Sequence, residues 1–566
     1  MTKLPPEPSK IRRPIWKRLM IWGMPAMIAL VAASPLRENY FEISKQLEIM
    51  TALFRELNIY YVDELQPGEL METGVDAMVK SLDPYTIYYP ESRVEDLRFM
   101  TTGEYGGVGA SIQVIHDRHT IVDVMPDFPA AKGGLKIGDV LLSIDGQSLE
   151  GIDKTLVPDL LQGASGSKVA VTFLRYGAAE SSTVTLEREK IKLPAVPYRA
   201  RIADSTGYII LSQFTRGSSH EVRQAIRYLR DSIGIKQLVL DLRGNGGGLL
   251  QESIGIVNLF VDKGLEVVST RGKKSEWMKS YVTLQEPLVP DLPLAVLIDE
   301  HSASASEIVA GTLQDLDRAV IVGQESFGKG LVQQNKPLAY GTKLKITVAK
   351  YYTASGRCIQ RLDYGGKRSQ DGGAQAVADS MIQVFYTKNG RPVVDGKGVQ
   401  PDVFVDIPLM SYVLEGLYGK GLLFDYANAW TAKHDSIASA QDFIWSDEDW
   451  NTFVDFAQDS EDFTYDSESL MIWDQLQKTA KREQYYLADT SAFSALSAVF
   501  APNIDRELNQ FRDEIQTALE QEVVLRYYLQ QGVIEWLIPQ DSTLNKAISL
   551  LSSGEYQALL EGPPAP

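Results

Sequence analysis

Between residues 200 and 360 short apolar runs alternate with stretches of helical spacing. Strand-length runs fall at 207–211, 237–242, 294–298 and 319–322, and helical patterns at 219–229 and 304–316. Strand and helix taking turns over this length specify α/β organisation. The run at 237–242 leads into a glycine-rich turn, and the run at 294–298 into small residues and then a helix.

The rest of the chain is built differently. With 566 residues it is too long for one core, so several units are expected. Residues 1–35 carry a basic run (Lys10, Arg12, Arg13, Lys17, Arg18) followed by a mainly apolar stretch at 19–33, the two parts of an export signal. The stretch is short for a membrane span, and both readings stand: cleavage after Ala33, or retention of 19–33 as an anchor. Residues 36–96 read as helices, with Phe41, Leu47, Met50, Leu53, Phe54 and Leu57 at helical spacing. Residues 97–190 gain glycine and β-branched runs at 111–115, 120–124, 140–144, 169–173 and 183–186, which makes them a small β-domain. Residues 191–423 hold the α/β core. Residues 424–566 lose glycine, gain acidic and aromatic residues, and read as a helical domain.

Charge and cysteine narrow the function. The formal net charge of −18 argues against nucleic acid as a partner. Cys358 is the single cysteine, so no intrachain disulfide staples the fold. No His/Cys/Asp/Glu cluster has metal-ligand spacing, so neither a metal nor another cofactor is expected.

Three segments carry chemistry. In His301-Ser302-Ala303-Ser304-Ala305-Ser306-Glu307 a strand gives way to a helix start, where free N–H groups and the helix dipole favour developing negative charge. Ser304 there suits an acyl-transfer nucleophile. Ser304 with Glu307 also reads as a capping box. In Phe327-Gly328-Lys329-Gly330 a lysine lies between two glycines. Burial would pull its pKa toward neutrality and make it a general base, and serine with lysine is a known variant of the catalytic triad. The stretch from Gly323 to Lys329 also matches G-x-x-x-x-G-K, but Gly330 stands where a phosphate loop needs Ser or Thr, and 331–337 reads as a strand rather than a helix. In Asp241-Leu242-Arg243-Gly244-Asn245-Gly246-Gly247-Gly248 the glycines can aim N–H groups at one point and form an oxyanion hole. His301 is too close in sequence to Ser304 to be an obvious base. In the β-domain, Gly106-Gly107-Val108-Gly109 precedes a strand and can present N–H groups to a chain-terminal carboxylate.

These motifs in this order resemble the carboxyl-terminal processing, or tail-specific, protease family, from about residue 40 to residue 405. Tyr60-Tyr61-Val62-Asp63, Leu82-Asp83-Pro84-Tyr85 and Gly398-Val399-Gln400-Pro401-Asp402 add to the match. The resemblance implies a multidomain α+β protein: a serine-protease core with an inserted PDZ domain and helical N- and C-terminal regions. It implies Ser304 as nucleophile, Lys329 as base, Gln333 as the residue orienting the lysine, and backbone N–H groups of Ala305 and of Gly246 or Gly247 as oxyanion donors. Ser302 and Ser306 are then structural serines. The expected substrates are extracytoplasmic proteins with unfolded C-terminal tails, bound at Gly106–Gly109. An adaptor and a homodimer are further expected partners, with membrane contact only through the N-terminal segment. The chain departs from the family pattern at Ala354, Cys358 and Gln162, where proline, serine and arginine are common. The competing reading is a resting or decayed PDZ scaffold that binds C-terminal peptides.

Overall fold

The computed structural model describes residues 35–154, 156–203, 205–368, 373–460, 463, 467–501 and 503–562. The export segment expected at 19–33 lies outside them. No helix among the described residues is long and apolar enough to cross a membrane. The chain divides between Ser81 and Leu82 into two units. The first holds α1 (Pro35–Tyr60) and α2 (Pro67–Lys80). As its spacing predicts, α1 is helical, yet Phe41, Leu47, Met50 and Leu53 remain exposed on it.

The second unit opens with a short strand, β1 (Ile87–Tyr89), in a region expected to be helical throughout. The β-domain follows: β2 (Glu104–Gly107), β3 (Ala110–Ile115), β4 (Arg118–Val124), β5 (Val140–Ile144), α3 (Val157–Leu161), β6 (Lys168–Leu174), β7 (Ser182–Glu187) and β8 (Glu189–Lys192). Strands β3 to β7 form one antiparallel sheet in chain order, and β2 pairs with β8. Alternation along β6 puts Val169, Val171 and Phe173 into the core of this domain. Gly106 and Gly107 end β2, and Val108 and Gly109 join it to β3. Gly106 O accepts from the Gly163 N–H just past α3 at 3.0 Å, so the loop is fixed against the end of that helix.

The α/β core then runs β9 (Tyr198–Ile202), β10 (Thr206–Ile210), α4 (Ser218–Arg227), β11 (Gln237–Asp241), α5 (Leu250–Val257), β12 (Glu266–Gly272), β13 (Lys279–Val282), β14 (Leu294–Ile298), α6 (Ala305–Asp315), β15 (Val320–Gly323), β16 (Leu331–Pro337), β17 (Lys343–Thr353) and β18 (Val403–Phe404). Its central sheet has the order β9-β10-β11-β14-β15-β18 and is parallel from β10 onward. Strands β11 and β14 are buried at every residue, as a sheet covered on both faces requires. Helices α4, α5 and α6 share a core cluster with one face. A second, antiparallel sheet packs β17 between β1, β12 and β16.

Helical packing begins with α7 (Tyr412–Gly419), ahead of the boundary expected at 424. It continues through α8 (Leu422–Thr431), α9 (Asp447–Gln458), α10 (Arg512–Leu537), α11 (Ser542–Leu551) and α12 (Glu555–Glu561). Trp450 and Phe453 lie buried on α9, whereas Phe443 precedes that helix because Ser446 caps it. Leu544, Ala547 and Leu550 of α11 and Leu560 of α12 cover the other face of the central sheet against Tyr208, Val239 and Leu297. The helical domain also meets the β-domain: His116 Nε2 lies 2.6 Å from Asp425 Oδ2, and Leu529, at a kink in α10, packs against the β-domain core.

One buried ion pair ties the end of α6 to the turn after β17. Arg357 is fully buried, 2.9 Å from Asp315 and donating to Gln314 Oε1 at 2.7 Å. Removing one partner of such a pair strands the other charge. Arg357→Met is expected to cost about 3–5 kcal/mol, read as a lowered midpoint in urea unfolding.

Candidate active site

Three neighbouring strands deliver the candidate residues. β11, β14 and β15 lie side by side and parallel, so the segments that follow them leave the same edge of the sheet, where open α/β sheets place their ligands. After β11 comes the glycine loop, after β14 the Ser304 turn, and after β15 the Lys329 loop.

Asn245 and Asp299 stitch the first two together. Asn245 is buried; its carbonyl accepts from the Ala303 N–H (3.0 Å) and the Ser306 hydroxyl (2.8 Å), while its side chain donates to Leu211 O (2.6 Å). Asp299 accepts from the N–H groups of Gly244 and Ser302. Gly247 lies so close that a Cβ on it would stand 2.6 Å from Ala303 O and 2.9 Å from Ser304 Cβ, and its φ is +97°. Only glycine fits there. The Gly247 N–H donates to Asn245 Oδ1 at 2.9 Å. The N–H groups of Gly246 and Ala305 have no hydrogen-bond partner among the described residues, so they are the pair left open toward the site.

The three serines of the turn separate by environment. Ser302 and Ser306 are fully buried, with hydroxyls donating to Leu242 O and Asn245 O. Ser304 is partly exposed between buried neighbours, at φ 56°, ψ −108°. A non-glycine residue held there stores of order 1–3 kcal/mol of strain, and such strain clusters at functional sites. The turn presents Ser304 at the start of α6.

Glu307 is more than a helix cap. Its carboxylate is fully buried and accepts from the Ser304 N–H (2.7 Å), the Gly328 N–H (2.7 Å), the Lys329 N–H (2.9 Å) and the Ser326 hydroxyl (2.5 Å). Ser304 and Lys329 therefore donate their backbone N–H groups to one and the same oxygen, Oε2. Burial pushes this carboxyl above the ordinary range, while its four donors pull the other way. The S-x-x-E spacing marks this residue only as a local cap; its partners 19 to 22 positions away are set by the strand order.

Burial draws the Lys329 ammonium down to about 8; nearby Lys345 adds to that effect, and Glu307 and Asp83 oppose it. Its Nζ stands 4.1 Å from the centre of the Tyr85 ring, a cation–π contact. Tyr85 belongs to the Leu82-Asp83-Pro84-Tyr85 turn, held by the Asp83 carboxylate accepting from the Tyr85 and Thr86 N–H groups. No hydrogen bond among the described residues joins Lys329 Nζ to Ser304 Oγ. Gln333, half-buried on β16, directs its amide to Thr347 Oγ1 at 3.4 Å. His301 is exposed beside Glu300. No metal-binding group of side chains occurs among the described residues.

Comparison with known proteins places the chain in a family. Residues 205–366 match the family model for peptidase family S41, residues 120–175 that of a PDZ domain, and residues 413–551 that of a probable PDZ-protease C-terminal helical domain. A carboxy-terminal-processing protease of Bartonella bacilliformis is 37% identical over 338 residues, 59% of this chain and 77% of the relative. A probable CtpA-like serine protease of Staphylococcus aureus is 30% identical over 390 residues, 68% of this chain and 70% of the relative. Among solved structures, the photosystem II D1 C-terminal processing protease is 29% identical and covers 64% of this chain and 93% of its own, with a TM-score of 0.34.

The Glu307 hub makes a direct prediction. Glu307→Gln keeps the shape but turns one acceptor into a donor facing N–H groups. Stability should fall by about 3 kcal/mol or more, and the Gly328 and Lys329 amides should lose protection in hydrogen exchange.

Proposed function

Because this chain belongs to the carboxy-terminal-processing proteases of peptidase family S41, we propose that it cleaves extracytoplasmic proteins near unfolded C-terminal tails with a Ser304–Lys329 dyad. One observation carries the reading: the partly exposed, strained Ser304 and the lysine drawn down to about 8 share a single buried carboxylate oxygen.

In the proposed reaction neutral Lys329 accepts the Ser304 hydroxyl proton as Oγ bonds to the scissile carbonyl carbon. The carbonyl oxygen becomes an oxyanion, which accepts hydrogen bonds from the Gly246 and Ala305 N–H groups at the positive end of α6. The intermediate collapses, the C–N bond breaks, and the Lys329 ammonium returns the proton to the leaving amine. Water then gives up a proton to Lys329 and attacks the ester carbonyl; as the acyl–Oγ bond breaks, the Lys329 ammonium returns that proton to Oγ, freeing the new carboxyl terminus and restoring the Ser304 hydroxyl and the neutral lysine. No cofactor is needed. The tail's carboxylate docks at Gly106, Gly107, Val108 and Gly109 of the PDZ domain, and its chain extends β3. The export-type N-terminus supports work outside the cytoplasm.

A second reading concerns the state of the enzyme. Lys329 Nζ lies over Tyr85 rather than on Ser304, which favours a resting arrangement that tail docking remodels by population shift. Gln333 then takes up its orienting role once the lysine has turned.

Ser304→Ala and Lys329→Ala should each lower cleavage of an unfolded tail-bearing protein by about 10³-fold or more with folding intact. Retained cleavage in both sinks the dyad. Since the neutral lysine is the active form, kcat/KM should climb about tenfold per pH unit and level off above about 8. Lys345→Met removes a positive neighbour that disfavours the Lys329 charge, so the same limb should move to higher pH.

A further inference from the structure

The helical domain meets the start of the glycine loop at Arg243. Arg243, three residues before Gly246, is clamped between two carboxylates. Its Nε and Nη2 donate to Asp241 at 3.0 and 2.6 Å, and its Nη1 and Nη2 donate to Asp541 at 3.0 and 2.5 Å. Asp241 closes β11, is buried, and also accepts from the Tyr208 hydroxyl at 2.6 Å. Asp541 lies at the head of α11, and its Oδ1 also accepts the Leu544 N–H at 2.9 Å, capping that helix.

From this geometry we propose that Asp541 is a positioning residue for the oxyanion loop. Two-sided, bidentate pairing fixes a planar guanidinium in both direction and tilt. The Arg243 backbone leads straight into Gly244, Asn245 and Gly246. With one carboxylate alone the guanidinium can pivot about Asp241, and the loop start pivots with it. With both, the loop is braced between the end of β11 and a helix docked on the far face of the sheet. Gly246 has no side chain to anchor it and its N–H is unpartnered among the described residues, so its aim depends on what holds the residues before it. The helical domain thereby completes the catalytic core as well as covering it. The proposal rests on the proteolytic reading above.

The test is Asp541→Asn in the full chain. Asparagine remains a good helix cap, so its Oδ1 still serves the Leu544 N–H. Its amide nitrogen, however, faces Arg243 Nη2, donor against donor, and breaks the fork. Hydrogen exchange should quicken about tenfold at the Gly244, Asn245 and Gly247 amides, with protection across residues 542–551 kept; the melting temperature should fall modestly, because a donor now faces the part-buried guanidinium. kcat should fall about tenfold, less than the loss of a whole oxyanion donor, with KM within about twofold, since ground-state binding is untouched. Asp541→Glu, which restores the carboxylate, should recover kcat. Unchanged exchange in the loop overturns the proposal whether or not the wild type cleaves anything. Loss of protection across 542–551 with none in the loop overturns it too, because the residue is then only a cap. Absence of cleavage by the wild type would count against the proteolytic reading, and the exchange result would still decide whether Asp541 braces the loop.

Discussion

The site hangs on the Glu307 carboxylate. A buried carboxylate costs several kcal/mol in lost hydration unless donors replace the water. Here four donors do so, and they come from two loops: Ser304 from the turn after β14, and Ser326, Gly328 and Lys329 from the loop after β15. Neither loop can leave without stranding the charge. The strained turn at Ser304 persists because its N–H is committed to Glu307 and its carbonyl accepts from the buried Tyr351 hydroxyl at 3.0 Å. The proposed nucleophile and base are thus located by backbone.

Strand order makes this possible. In a parallel sheet, neighbouring strands end at the same edge, so three loops far apart in sequence converge without any long reach. The two faces of the sheet are then closed by different parts of the chain. Helices α4 to α6, interleaved with the strands, close one, and the terminal helices α11 and α12 close the other. The edge that carries the candidate site is therefore braced from both faces. The contacts of His116 with Asp425 and of Leu529 with the PDZ core show that the helical domain also touches the module proposed to read substrate tails. One domain is in a position to sense both.

What the sequence disclosed and what it withheld divide along the range of the interaction. The runs at 294–298 and 331–337 are the strands β14 and β16 residue for residue, because local apolar pattern and turn residues determine them. Lys329 is marked by the glycines on either side of it, whereas Ser304 is one of three serines in its turn and is singled out only through the family resemblance. Burial then separates Ser302 and Ser306 from it. Glu307 was visible yet read as a local cap, since its other partners depend on which strands are neighbours. Asp541 lies 298 positions from Arg243, and no periodicity links them. The kink at Leu529, φ 56° within an otherwise helical pattern, likewise answers to packing against another domain and leaves no mark in residue spacing.

Lys329 presents opposing demands that its surroundings resolve. To act as a base it must be neutral, and burial favours that form. The Tyr85 ring, 4.1 Å away, attracts the cation and favours the charged form. These two influences act at different places along the side chain's swing. Over Tyr85 the ammonium keeps a partner for its charge; turned toward Ser304, it gives up that partner while staying out of water. On the proposed reading, the movement that brings Nζ to the serine hydroxyl also takes it off the ring that favours its charged form. Geometry and protonation state are then coupled: the lysine becomes a stronger candidate for the neutral form at the moment it reaches the proton it is to accept. A tail that shifts Tyr85 or the loop carrying Lys329 would drive both changes at once, with no titrating switch beyond the lysine itself.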